Sequence, residues 1–173
     1  MSAKDYGLRA ALRAANFNGK KLISGVKLKK LRRIVDERGW LTEIMRSDWP
    51  LFKKFGQVYL SVCNPGYVKA WHYHKKQTDS FVIIYGRARV GLYDARKNSE
   101  TFGITNEFIV DSNNPVLIQI PPGVWHGYEA LGNEPAFLIN VPDKLYNYEN
   151  PDEFRERFNT NKVNFRWQGK KGG

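Results

Sequence analysis

The sequence predicts an all-β fold, a jelly roll of the double-stranded β-helix type, with a short N-terminal helix and small C-terminal helical turns. Two observations carry that reading. Short runs rich in β-branched and aromatic residues recur along most of the chain. Turn signals ("NPG", "YG", "DARKNS", "DSNNP", "PPG" and "GNEP") separate them at regular spacing. Many short strands punctuated by Gly and Pro close into a sandwich or barrel, because closure protects their edges.

Each element follows from its local pattern. Residues 4–16 place Leu8, Leu12 and Ala15 at helical spacing, and "NFNGKK" breaks the helix. "VKLKKLRRIV" alternates loosely as a strand. "QVYLSVC" (57–63), "SFVIIY" (80–85), "RARVGLYD" (87–94), "NEFIV" (106–110), "PVLIQI" (115–120) and "AFLINV" (136–141) read as the remaining strands. "NPDEFRERF" (150–158) reads as a late helical turn, with Asn150 as cap and Pro151 in the first position. The chain thus divides into an extension (1–23), a jelly-roll domain (24–149) and a closing segment (150–173) that packs on the barrel.

Composition narrows the function. A chain of 173 residues with 42% hydrophobic and 14% aromatic content is one globular domain with a real core. The single cysteine, Cys63, excludes an intramolecular disulfide and fits a reducing cytoplasm. Cys63 sits in an apolar run with no basic neighbour in sequence, so it is expected to be inert. No apolar run reaches the length of a membrane span, and "MSAKDYGLRAALRAAN" lacks the apolar block of a secretory signal. A cytoplasmic address without a membrane partner is the expectation. Net charge is +11, but the basic residues are scattered or cluster in "KKLISGVKLKKLRR" (20–33) and "QGKKGG" (168–173). No nucleic-acid motif surrounds them, so nucleic acid is not the expected partner. A small anionic substrate, a phosphate or pyrophosphate, accounts for a basic site equally well.

All three histidines lie in two segments, "HYHKKQTD" (72–79) and "IPPGVWHGY" (120–128). His72 and His74 are two residues apart in an extended run, which turns both to one face. Asp79 follows at the entry to the next strand, and His126 follows a Pro-Gly turn. Trp71, Tyr73 and Trp125 adjoin the histidines and so point to the opposite face, toward packing. Three imidazoles and a carboxylate can move protons, hold a divalent ion such as Zn, Fe, Mn or Ni, or satisfy core polar groups.

The spacing Gly66-x5-His72-x-His74-x4-Asp79-x6-Gly86 resembles the first cupin motif, with Asp where Glu is usual. "PPGVWH" (121–126) resembles the core of the second. A longer resemblance runs from about residue 24 to 167. "DERGWLTEI", "VKAWHYH", "GRARVGLYDARKNSETFG", "IPPGVWHGYEAL" and "NFRWQ" are similar, in order, to segments of the dTDP-4-dehydrorhamnose 3,5-epimerase family. That resemblance implies a homodimeric cupin acting on a nucleotide-linked, dTDP-type 4-keto-6-deoxy sugar in polysaccharide pathways, with no cofactor required. It places the base on His72, a second histidine on His126, a pyrophosphate-binding arginine on Arg38 and a second basic contact on Lys69.

The departures are as specific. The family's enolate-stabilising lysine falls on or beside Asp79, and its proton-donating tyrosine falls on Ile139. The aspartate that orients its base follows the closing tryptophan, where Trp167 is followed here by "QGKKGG". Tyr128, Tyr146 and Tyr148 are the candidate replacements for the tyrosine, and Lys75 or Lys76 for the lysine. "HYHKK" also resembles the "HAHK" strand of sugar 3,4-ketoisomerases, in which one histidine moves the proton. The expected catalytic residues are therefore His72, His74 and His126. Arg38, Lys69, Asp79, Tyr128 and Tyr146 are the expected substrate contacts. In the alternative reading His72, His74, Asp79 and His126 bind metal. A cupin that binds the sugar nucleotide without chemistry is the third reading.

Overall fold

The computed structural model describes residues 3–173, with side chains from residue 7 onward; Met1 and Ser2 of the expected extension lie outside the described residues. One helix, α1 (Ala3–Ala14), precedes the strands. These are β1 (Lys27–Lys30), β2 (Ile34–Asp36), β3 (Gly39–Leu41), β4 (Tyr59–Cys63), β5 (Tyr67–Tyr73), β6 (Asp79–Tyr85) and β7 (Arg87–Asp94). They continue with β8 (Thr105–Asp111), β9 (Val116–Ile120), β10 (Val124–Ala130), β11 (Ala136–Asn140), β12 (Phe154–Arg155) and β13 (Lys171–Gly172).

Two sheets face each other. One runs β1-β9-β6-β11-β4 and the other β12-β5-β10-β7-β8, with β13 added beside β5. Every pairing is antiparallel except β13 with β5. This is the expected jelly roll, and period-2 alternation explains its core. β8 turns Asn106, Phe108 and Val110 inward and leaves Thr105, Glu107 and Ile109 on the other side. Phe108 and Val110 join Ile83, Val90, Leu92, Ile118 and Leu138 in the main cluster. β9 is buried on both faces because a second cluster covers its back, where Leu117 meets Leu31 and Val82 under Trp49 and Leu51.

The N-terminal helix docks. Ala11 and Ala15 are fully buried in the main cluster, and the Ile109 N–H donates to the Ala15 carbonyl. Residues 7–23 are therefore built into the barrel wall. Among the described residues no helix is long and apolar enough to cross a membrane.

Two expectations need correction. "VKLKKLRRIV" is not one strand. It splits into β1 and β2, and β2 forms a separate hairpin with β3 around the "DERG" turn. The Asp36 carboxylate accepts from the Arg38 backbone N–H, and Gly39 takes the positive φ of 137° that ends the turn. The second correction concerns 150–158. It is extended, not helical, and β12 pairs with β5 through Phe154↔Tyr73 and Arg155↔His72. Asp152 explains this. Its carboxylate accepts the backbone N–H groups of Lys75, Lys76 and Gln77, so the acid closes the loop after β5 and does not start a helix.

Candidate active site

The site is built by register. β5 and β10 are antiparallel neighbours, and His72 sits directly opposite His126. β6 belongs to the facing sheet and opens with Asp79. The inward face of β5 carries His72, and His74 follows just past the strand's end; both line one cavity of about 620 Å³ between the sheets. His126, Lys69, Tyr128, Tyr146 and Tyr148 line it too. On the other face of β5 and β10, Trp71 packs against Phe165 and Trp167, and Tyr73 stacks on Trp125 and Phe154. The parity read from the sequence holds for His72 and His126 on the cavity side and for Trp71, Tyr73 and Trp125 on the other.

Beneath the cavity lies Asp79, 1% exposed. Its Oδ2 faces His74 Nε2 at 3.1 Å and His126 Nε2 at 3.2 Å. Its Oδ1 accepts from Gln77 Nε2 and Asn140 Nδ2, each at 2.8 Å. Asp79 therefore supports the floor and is not among the residues lining the cavity. The other ring nitrogens settle the tautomers. His126 Nδ1 lies 3.1 Å from the Val124 carbonyl, and His74 Nδ1 meets the Asp152 carbonyl. A carbonyl only accepts, so each Nδ1 carries a proton. Each Nε2 then faces the Asp79 carboxylate either as a second donor or through a cation.

The electrostatics of His72 and His74 diverge. Burial disfavours charge on His74, but the Asp79 hydrogen bond and charge outweigh it and push the ring up to about 9. Burial, with the neighbouring His126, pushes His72 down to about 4. Asp79 is buried, yet its hydrogen bonds to His126 and His74 hold it far below the usual carboxylate range. His72 Nε2 is buried and has no hydrogen-bond partner. Two residues apart, at the end of β5 and just beyond it, stand a neutral imidazole with an unpartnered ring nitrogen and an imidazole held as a cation.

The donor set also fits a divalent ion, but not with the four expected ligands. His74, Asp79 and His126 offer ligand atoms all within 4.8 Å of one another, and His72 is not in that group. Carbonyls fix the far nitrogens and amides fix the second carboxylate oxygen, which is how outer partners orient metal ligands.

The remaining expected residues divide. Lys69 Nζ donates to Ser61 Oγ at 3.1 Å, and Tyr128 donates to the same oxygen at 2.8 Å. Tyr146 and Tyr148 meet edge-on at the cavity mouth, with Tyr148 89% exposed. Arg38 is not brought to the cavity of its own chain. Its side chain is 82% exposed on the hairpin turn and pairs with Asp36 at 2.6 Å. Lys75 and Lys76 do not line the cavity, and Lys75 lies over the Phe154 ring. Burial pushes the Cys63 thiol up, as an inert core cysteine requires. Tyr59, Gln77 and Glu153 line the cavity and were not singled out from the sequence. Tyr59 lies in a run recognisable only as a strand, and Glu153 in the segment misread as helical.

A jelly roll with imidazoles over a buried carboxylate at the cavity between its sheets defines a cupin-type pocket. Residues 34–154 match the family model described as "Polysaccharide biosynthesis C-terminal domain". The chain is 42% identical over 146 residues to the spore coat polysaccharide biosynthesis protein SpsL of Bacillus subtilis, covering 84% of this chain and 97% of that protein. It is 44% identical over 135 residues to the probable low-salt glycan biosynthesis epimerase Agl13 of Haloferax volcanii, covering 77% and 86%. A crystal structure of a dTDP sugar isomerase from Desulfovibrio desulfuricans G20 superposes with a TM-score of 0.80 at 34% identity, over 85% of this chain and 93% of that one. The chain belongs to the polysaccharide biosynthesis C-terminal domain family, among the cupins related to dTDP-4-dehydrorhamnose 3,5-epimerase.

Proposed function

We propose that this protein is an isomerase of a nucleotide-linked 4-keto-6-deoxy sugar, a dTDP sugar in the first instance, that moves a proton next to the keto group. The relatives described as epimerase and dTDP sugar isomerase support the substrate class. One observation carries the chemistry: His72 lines the cavity, and its buried Nε2 has no hydrogen-bond partner. A ring nitrogen without a partner is ready to accept a proton from a carbon acid. The 4-keto group acidifies its neighbouring C–H bonds. His72 removes the proton, and negative charge moves to the keto oxygen. His74 and His126 face the same cavity over Asp79, where the charge on His74 works against that of the oxygen. They take the place of the lysine the resemblance leads one to expect. Lys69, Tyr128 and Tyr146 are the proposed polar contacts to the sugar nucleotide.

We place the pyrophosphate contact of Arg38 across a homodimer. The β2–β3 hairpin that carries it exposes Ile34, Val35, Trp40 and Leu41, an apolar surface suited to a second copy. The cytoplasm is the proposed compartment, in keeping with the unpaired Cys63.

A second reading follows from the converging ligand atoms. His74, Asp79 and His126 would hold a divalent ion, which would polarise the keto oxygen as a Lewis acid. His72 stays outside that set and keeps the base role in either case.

Proton exchange tests the assignment. The protein is incubated in D2O with dTDP-4-keto-6-deoxyglucose, with and without a chelator, while NMR follows the sugar protons and metal content is measured in parallel. Deuterium entering next to the keto group is the expected result. Exchange that survives chelation selects the metal-free reading; exchange lost together with a stoichiometric metal selects the second. No exchange by folded protein would rule out the isomerase.

A further inference from the structure

We propose that Tyr59 is a catalytic residue, the acid that delivers a proton to the sugar from the β4 side of the cavity, with Asn140 as its positioning residue. It rests on the proton-abstraction reading above and names the second proton carrier, which that reading leaves open. Tyr59 lines the same cavity as His72. The two come from opposite sheets, Tyr59 from β4 and His72 from β5. A sugar bound between the sheets is therefore flanked by the two groups. That placement is what a change of configuration requires, since removal and return must occur on different faces.

Hydrogen-bond directions say which end of Tyr59 is free. Asn140 is fully buried and pairs across the sheet with Tyr59. Its Oδ1 accepts the Ser80 backbone N–H at 2.9 Å, which fixes the orientation of the amide. Its Nδ2 then donates to Asp79 Oδ1 at 2.8 Å and to Tyr59 Oη at 2.9 Å. Tyr59 Oη is an acceptor there, so its own proton is uncommitted. Tyr128 differs, because its hydroxyl proton already goes to Ser61 Oγ. Burial and the nearby Asp79 charge push the Tyr59 phenol up to about 12, so it enters the cycle protonated.

The step balances. His72 takes the proton from the carbon beside the keto group, and the C–H electron pair becomes the enolate. The enolate carbon takes the proton of Tyr59 Oη, the O–H pair stays on oxygen, and a phenolate remains. The Asn140 N–H already aimed at Oη stabilises that charge as it forms. Water then removes the proton from His72 and supplies one to Tyr59, which restores both groups with no net gain or loss.

The test is Tyr59→Phe, read by NMR in D2O with dTDP-4-keto-6-deoxyglucose beside the unaltered protein. Removal of one hydroxyl leaves the ring, and a thermal melt checks the fold. The expected result is a split. His72 still removes the proton and returns deuterium on its own face, so exchange persists. Formation of the inverted sugar falls at least about 100-fold. Equal rates for the variant and the unaltered protein in both measurements would overturn the proposal. So would an equal loss of both, since that marks a group used for binding rather than for the second transfer. Absence of exchange in the unaltered protein would overturn the isomerase reading first, and the Tyr59 assignment with it.

Discussion

His72 and His74 are two residues apart and chemically opposite. The difference comes from neighbours that the primary structure does not place beside them. His74 meets Asp79, the Asp152 carbonyl and Gln77. His72 Nε2 meets none. His72→Asn is expected to cut deuterium exchange by about 1000-fold, as loss of a general base does, while the thermal midpoint moves little. A large drop in stability with exchange kept per folded molecule would assign His72 to the fold instead. Asp79 does not touch the cavity as its place among the expected substrate contacts requires; it lies one layer deeper. A carboxylate shorter than glutamate by one methylene suits that place, beneath the rings that line the cavity.

At the scale of elements, two short features hold the site in register. The first is the end of β7. Asp94 is fully buried and receives hydrogen bonds from Arg96, Ser99 and Thr101. Burial alone would raise its carboxyl, but these donors outweigh it and hold it down at about 2. A depressed native value means stability that is present above the unfolded value of 3.8 and lost as pH falls through about 2. Asp94→Asn should cost about 3 kcal/mol at neutral pH, because the Arg96 charge loses its partner. In urea melts the gap between the two proteins should narrow as pH drops below about 4. A gap that is constant with pH would refute the linkage. The second feature is Gly127, where the β10–β5 pairing shifts register between His126 and Tyr128. A Cβ there would stand 2.2 Å from Ala70 Cβ and 2.7 Å from the Lys69 carbonyl oxygen. Gly127→Ala should therefore destabilise by about 3 kcal/mol and part the strands that hold His72 opposite His126. An unchanged melting curve would mean that β5 yields at no cost.

The whole molecule poses the question of a second copy. The β2–β3 hairpin is its own two-stranded sheet and stands off the jelly roll with both strands exposed. β4 forms one edge of its sheet and exposes Leu60, next to Val58, which is exposed just before the strand. Such surfaces are unfavourable in water unless covered. Light scattering should return twice the chain mass of 20.0 kDa, and Val35→Glu with Leu41→Glu should return the single-chain mass. A single-chain mass for the unaltered protein would remove Arg38 from the site, since it does not line the cavity of its own chain.

Much of this was legible in the residues. β7 spans the same residues, 87–94, as the run "RARVGLYD", and β6, β8, β9 and β11 lie within a residue of theirs. Local alternation and turn residues determine both where a strand runs and which side chains share a face. That parity put His72 and His74 on one face and turned Trp71, Tyr73 and Trp125 away from their neighbouring histidines; the cupin resemblance added His126 to the same site. The late helix failed because "NPDEF" carries good helix-start residues, while the 152 carboxylate binds a loop 75 to 77 residues away along the chain. What only the tertiary structure decided is the partner of each site group: Asp79 under two imidazoles, Asn140 between Asp79 and Tyr59, and His72 left free. Those contacts join strands of one sheet, or of facing sheets, as many as 81 residues apart. Their geometry is set by how the strands register and how the sheets pack, and a pattern of period two carries neither quantity.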